Sequence, residues 1–264
     1  MGAGAPQCGM GDPSSLAGTG TTYQEHPAPA PLRGHFGQLW QSQLPDDADG
    51  HITVLPDGCV DILWRDGALF VVGPDRVAAH PALAPGAQVL GARFRPGQAL
   101  AALGLPMAEI IGQAVPLADL KGRWAVEVAA SIGDTAPAQR LQRMAQCLQL
   151  RMGAAALDTP AQRAHALFQA LARGNATLDD MAAHLSLSPR SLRRFSQSQF
   201  GYGVKTLERI LRLQRFLRHS RALPQHSLAM LAVEAGYADQ AHLSREAREL
   251  ASTTARQLRL EWGR

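Results

Sequence analysis

Two periodicities divide the chain. Between His51 and Arg95, apolar and polar residues alternate or cluster in short β-branched runs, the period-two signature of strands. His51–Leu55, Cys59–Trp64, Ala68–Val72 and Gln88–Arg95 are the predicted strands, and Pro96 stops the last. Pro56-Asp57-Gly58 and Arg65-Asp66-Gly67 separate the first three; Asp-Gly between β-branched runs predicts hairpins. In Gln88–Arg95, alternation puts Val89, Gly91, Arg93 and Arg95 on one face and Leu90, Ala92 and Phe94 on the other. Upstream, Pro27–Pro31 reads as a stiff lead-in, and Leu32–Gln41, with Phe36, Leu39 and Trp40, as the first ordered segment. From Gly97 the spacing becomes helical: Gln98–Leu103, Met107–Ile111, Leu117–Leu120, Trp124–Ile132, Ala138–Met152 and Pro160–Ala172. Gly153–Asp158 is the expected hinge. The order predicts an α+β fold class: a β-rich N-terminal domain with following helices, then an all-α domain.

One pattern recurs within the helical end. In Thr177–Phe200, Leu178, Met181, Ala182 and Leu185 form an apolar face, and Leu187-Ser188-Pro189 forms a tight turn. The next helix turns Leu192 and Phe195 inward and Arg190, Arg193, Arg194 and Gln197 outward. In Ser227–Leu250 the face is Leu228, Leu231 and Ala232, and Gly236 ends the helix with a left-handed turn. Asp239 then caps a helix whose inner face is Leu243, Ala247 and Leu250 and whose outer face carries Gln240, His242, Arg245 and Arg248. Helix, short turn and a second helix with exposed Arg and Gln is the form of a major-groove reader. Between the two units, Val204–Ser220 is amphipathic, with Arg209, Arg212, Arg215 and Arg218 amid leucines; phosphate contact is an option for Arg209 above the others.

Charge follows the same division. The net charge is +4, but Met1–Thr159 carries 10 Lys+Arg against 14 Asp+Glu, and Pro160–Arg264 carries 16 against 8. A basic half joined to an acidic half suggests a nucleic-acid module attached to something else. Three scattered cysteines, Cys8, Cys59 and Cys147, describe neither a disulfide framework nor a metal motif, and point to a reducing cytoplasm. No run of about 18 uncharged apolar residues occurs, so no membrane partner is expected. No phosphate-binding loop, GxSxG, HExxH or Rossmann glycine pattern occurs, so the chain is not expected to be an enzyme, and no cofactor is implied.

GYADQAHLSRE, together with Leu192–Arg194 followed by Gly201, resembles the helix-turn-helix region of the AraC/XylS family of bacterial transcription regulators, over about Asn175–Leu260. The resemblance implies two helix-turn-helix subdomains, about 177–200 and 227–250, joined by a long helix and reading successive major grooves. Ser196 and Ala247 stand where that family has large apolar residues, Ser252 where it has Gly and Ala255 where it has Pro. LPDGCVDILW, VVGP and GARFRPGQALAALGLP resemble an uncharacterised domain found ahead of such regions. The expected division is a disordered leader over 1–22, an α+β domain for effector binding or dimerisation over 23–152, and the DNA-binding domain over 160–264.

The candidate DNA contacts are Arg190, Arg193, Arg194, Gln197, Gln240, His242, Arg245 and Arg248, because Arg and Gln match base edges and phosphates by bidentate hydrogen bonds. The candidate effector site is Asp57, Cys59, Asp61, Trp64, Arg93 and Arg95. There Arg93 or Arg95 either binds an anion or forms an internal ion pair with Asp57 or Asp61, the pair being favoured. Cys59 with Asp57, Asp61, His51 and His80 is weighed as a metal site against a turn and a buried thiol; the second is preferred. Trp40 and Trp64 are read as core, with pocket lining as the alternative. The function read from all this is sequence-specific binding of double-stranded DNA, adjusted by a small-molecule effector, with RNA polymerase and a second copy of the chain as further candidate partners. The competing reading is a ligand- or metal-binding sensor or enzyme whose helical tail serves protein contacts.

Overall fold

A computed structural model of the chain describes residues 16–17, 22–48, 50, 52–152, 159–174 and 177–263. Of the expected leader, only Leu16–Ala17 and Thr22 fall within these; Cys8, His51 and the expected hinge Gly153–Asp158 lie outside them.

The N-terminal half is built on one antiparallel sheet. Its strands are β2 (Thr22–Pro27), β3 (Phe36–Gln43), β5 (Asp61–Arg65), β6 (Ala68–Val72), β7 (Gln88–Phe94) and β8 (Ala114–Pro116), in the order β2-β3-β7-β5-β6-β8. Two residues from the leader, β1 (Leu16–Ala17), pair with β4 (Thr53–Val54) in a separate ribbon. β5 and β6 form the predicted hairpin: Asp66 (φ 50°) and Gly67 (φ 75°) give the two left-handed residues of a type I′ turn. The second expected hairpin, across Pro56-Asp57-Gly58, does not form. β5 pairs with β6 and β7 instead, and Gly58 (φ 78°) turns the chain toward the helical half. Three strands of this sheet were not expected: β3, which falls in the segment read only as ordered, and the two edges β2 and β8, where proline ends each and neither has a long β-branched run.

Alternation gives the sheet two working faces. Leu39, Ile62, Trp64, Leu69, Val71, Leu90 and Ala92 pack beneath the helices α1 (Gln98–Leu103), α2 (Leu117–Lys121), α3 (Arg123–Gly133) and α4 (Arg140–Met152). Trp40, Asp61, Leu63, Phe70 and Arg93 face a cavity roofed by β4 and the Ala79–Leu83 segment.

The C-terminal half is wholly helical: α5 (Thr159–Arg173), α6 (Leu178–His184), α7 (Pro189–Phe200), α8 (Val204–Ala222), α9 (Leu228–Glu234), α10 (Gln240–Ala251) and α11 (Ala255–Trp262). Its core runs through all seven and includes Leu55 and Ala78 from the N-terminal half. Gln214 of α8 donates to the Pro56 carbonyl at 2.8 Å, and the Ala78 N–H donates to the Leu250 carbonyl of α10 at 2.7 Å. The halves therefore share buried hydrogen bonds as well as apolar surface.

The two repeated units are built alike. After α6, the Leu187 N–H returns to the Ala182 carbonyl at 2.9 Å; after α9, the Tyr237 N–H returns to Ala232 at 2.9 Å. Each closure needs one left-handed residue, Ser186 (φ 53°) in the first unit and Gly236 (φ 88°) in the second. At the far ends of α7 and α10 the roles exchange: Gly201 (φ 82°) ends one and Ser252 (φ 54°) the other. An L-residue in this conformation costs about 1–2 kcal/mol, part of which glycine returns as unfolded-state entropy. Ser186→Gly and Ser252→Gly are therefore each expected to stabilise the protein by about 1 kcal/mol. The check is the unfolding midpoint, which should rise for both variants.

Candidate functional site

The reader helices α7 and α10 are set up by their first turns. The Ser188 hydroxyl accepts from the Ser191 N–H at 3.2 Å, with Pro189 at the first helical position; the Asp239 carboxylate accepts from the His242 N–H at 2.6 Å. Upstream, Thr177 and Asp180 form a reciprocal capping box that starts α6. The two helices have the same length, and Leu192 and Leu243 hold equivalent buried positions. Arg194 and Arg245 then fall at equivalent outward positions, and both are exposed, as are Arg190, Arg193, Gln240 and Arg248. Gln197 is half-buried. His242 is also half-buried: its ring meets Tyr237 edge-on at 5.2 Å, and its Nδ1 takes the Ala238 N–H at 3.4 Å. In the neutral ring this leaves Nε2 as the donor.

Ser196, where a large apolar residue was expected, is fully buried, and its hydroxyl donates to the Tyr202 carbonyl at 2.7 Å. A hydrogen bond to the turn after α7 replaces the missing volume.

The arginines of α8 have partners within the protein. Arg209 is ion-paired with Glu246 at 2.6 Å and with Glu249, both on the second reader. Arg212 is paired with Glu208 and lies over the Tyr237 ring at 5.6 Å. Arg218 donates to the Ala172 carbonyl at 3.4 Å. Arg215 is buried without a carboxylate; its guanidinium donates to the carbonyls of Leu171 (2.8 Å), Ala172 (3.3 Å) and Ala235 (3.2 Å). It thus caps the C-terminal ends of α5 and α9, where a cation is favoured by the helix dipoles. Helical spacing alone made these residues a studded surface; packing on both sides of α8 buried Arg215 and left Arg209, Arg212 and Arg218 half-exposed against partners of the same chain.

Two other cations lie at the reading surface. A cleft of about 670 Å³ separates the two units, and its walls include Arg193 and Gln197 of the first reader, Glu249 of the second, Lys205 at the start of α8 and Arg76 of the N-terminal half. Lys205 and Arg76 are exposed. The signal for Lys205 was the break at Gly203 that starts α8; nothing local marks Arg76, which arrives by domain docking.

The cavity beside the readers lies on the second face of the sheet and measures about 310 Å³. Arg93 is buried in its wall and holds both candidate carboxylates: Asp61 at 3.1 Å and Asp57 at 3.2 Å. Trp40 lies across Gly91, where a Cβ would sit 2.0 Å from the indole, and its Nε1 donates to Asp61 at 3.0 Å. Burial alone would lower the Arg93 pKa, but Asp61 and Asp57 together hold it above the ordinary arginine value.

Of the remaining effector candidates, Trp64 is a correction. An odd separation from Asp61 along β5 puts it on the opposite face, where its Nε1 donates to the Ala129 carbonyl at 3.1 Å. Arg95 lies beyond the end of β7, donating to the Arg33 carbonyl at 3.4 Å, outside the cavity wall. Cys59 closes an Asx turn, its N–H on Asp57 Oδ1 at 2.9 Å, and burial, then the Asp57 charge, push its thiol up. Among the described residues, no three His, Cys, Asp or Glu side chains converge on a metal-sized site.

A cavity residue not anticipated is Asp75. Burial first, then the charges of Asp57 and Asp61, push its carboxyl from 3.8 to about 7.

Two measurements follow from this geometry. Arg215→Met should cost about 3 kcal/mol in chemical denaturation, because three buried carbonyls lose a charged donor, and Arg215→Lys should not restore it. Asp75 has a higher pKa folded than unfolded, so its contribution to stability is present below about 3.8 and is lost as pH rises through about 7. Asp75→Asn should therefore gain stability relative to the parent as pH increases across that window; parallel curves would contradict the assignment.

Comparison with known proteins places both halves. Residues 24–116 match the model of a domain of unknown function (DUF6597), and residues 181–261 match that of a helix-turn-helix domain. No curated protein matches the chain. Among solved structures, ToxT from Vibrio cholerae aligns over 94% of this chain and 98% of its own at 8% identity, with a TM-score of 0.45. ToxT with an unsaturated fatty acid bound aligns over 93% and 97% at 10% identity, TM-score 0.43. The C-terminal domain of AraT, a response regulator from Geobacillus stearothermophilus, aligns over 40% of this chain and 88% of its own at 18% identity, TM-score 0.35. Among the described residues, no helix is long and apolar enough to cross a membrane. With its paired reader helices, the chain carries an AraC-type helix-turn-helix domain behind a DUF6597 domain, an arrangement that supports DNA-binding transcription regulation.

Proposed function

We propose that this regulator binds a specific DNA site through α7 and α10 and that a small molecule in the sheet cavity adjusts that binding. One observation carries the reading: both readers end against the segments that wall the cavity. Gly201, at the end of α7, is so close to the N-terminal half that a Cβ there would come within 2.8 Å of Ile111 and 2.9 Å of Pro74. Leu250, near the end of α10, accepts the Ala78 N–H. Asp75, Ala79 and Gly112, the chain neighbours of those contacts, line the cavity. A ligand that shifts either segment moves a reader helix, and the two readers must keep a fixed spacing to enter successive grooves. The reading places the protein in the cytoplasm, acting on double-stranded DNA, and gives it no catalytic step.

The test is fluorescence anisotropy on fragments from upstream of the protein's own coding sequence. Affinity should fall steeply with salt as counterions return to the phosphates. Arg194→Ala combined with Arg245→Ala should weaken binding to the preferred fragment by about a hundredfold or more, since a good base contact contributes about 1–3 kcal/mol. Unchanged affinity in the double variant would sink the proposal.

A further inference from the structure

The chemistry of the cavity wall specifies what it takes. Three of its polar groups are incompletely partnered. Ser42, 3% exposed, has a buried hydroxyl with no hydrogen-bond partner, and Arg93, 7% exposed, has a buried Nη1 in the same condition. Both residues line the cavity. The third is Asp75, whose carboxylate has no hydrogen bond or ion pair among the described residues. Of the two arginines in the wall, the buried one is ion-paired and the other is half-exposed. Arg93 is held by two carboxylates, and Arg65, the other arginine in the wall, stacks over Phe70 at 5.2 Å. The charges that act on Asp75 are those of Asp57 and Asp61, both negative. Around these groups the wall is apolar and aromatic, with Trp40, Val54, Leu63 and Phe70.

An anion would meet the carboxylates of Asp75 and Asp61, and the buried cation beside them, Arg93, is already neutralised by two carboxylates. A cation would find the opposite: a carboxylate with no partner, a negative local field, and aromatic faces that attract positive charge. The spare Arg93 N–H can only donate, so it asks for an acceptor oxygen on the same molecule, and the Ser42 hydroxyl can complete that contact. A volume of about 310 Å³ lies at the small end of ligand pockets.

We propose that the cavity is a receptor for a small organic amine, its ammonium group on Asp75, its apolar body among Trp40, Leu63 and Phe70, and a hydroxyl or carbonyl oxygen on Arg93 and Ser42. This rests on the reading of the cavity as the effector site, but its test does not involve DNA.

Calorimetric titration of the full chain with three probes of one shape decides it: tyramine, the neutral alcohol tyrosol, and the anionic hydroxyphenylpropionate. Isopentylamine serves as a second, aliphatic amine. Tyramine should bind at least about tenfold more tightly than tyrosol, and the acid most weakly. Asp75→Asn should abolish the preference for tyramine over tyrosol, and Asp75→Glu should retain part of it. Since Asp75→Asn relieves a buried charge, the variant is expected to fold, and a thermal melt verifies this before titration. Binding of the acid as tight as that of tyramine, retention of the preference in the Asn variant, or no binding of either amine would overturn the proposal. If tyramine binds yet leaves DNA affinity unchanged, the amine site stands and the modulation of DNA binding by the cavity fails instead.

Discussion

A single buried guanidinium ties the two halves of the molecule together. Arg93 sits in the centre of the sheet with Asp61 on the neighbouring strand and Asp57 on the loop that leads into that strand. A buried arginine is tolerable only with such partners, because an unpaired charge in that position would cost several kcal/mol. Satisfying it fixes the loop. With Asp57 held, the Pro56 carbonyl faces Gln214 of α8, and Gly58 lies against the helical core, where a Cβ would stand 3.0 Å from Leu207 and 3.2 Å from Phe168. The residue that walls the cavity thus also sets the loop on which the DNA-reading half rests.

The readers themselves depend on a second buried arginine. Arg215 crosses from α8 to the ends of α5 and α9, joining a helix of the first unit's neighbourhood to the first helix of the second unit. The Arg209 pairs with Glu246 and Glu249 tie the same connecting helix to the second reader. These contacts fix α8 against α5, α9 and α10, and Arg194 and Arg245 stay exposed. The division of labour among the arginines follows from position: those on the helix packed on both sides are structural, and those on helices with one open face are available to a ligand.

Much of this was legible in the residue pattern. Alternation placed Arg93 and Gly91 on one face of β7 and Leu90, Ala92 and Phe94 on the other, and the Asp66-Gly67 hairpin turn was read from two residues. The caps at Ser188 and Asp239 and the break at Gly236 were equally local. The errors have a common physical origin. Trp64 was grouped with Asp61 although an odd separation on a strand forbids a shared face. The Asp57-Gly58 turn looked like a hairpin because a left-handed glycine serves a hairpin and a change of direction equally well, and only strand pairing decides between them.

The sequence by itself determined the local matters: the four strands with β-branched or alternating runs, most of the helices with their caps and breaks, the outward arginines of each reader, and that the basic charge lies in the C-terminal half. These depend on periodicity, capping and composition, all short-range along the chain. Tertiary structure decided the rest: that Arg215 of α8 is buried and its neighbours are paired within the chain, that Asp75 and Ser42 join Arg93 around one cavity, and that Gly201 and Leu250 meet the segments walling it. Those facts depend on groups distant in the chain being buried together, where the demand to satisfy every charge and hydrogen bond, rather than any local preference, selects the partners.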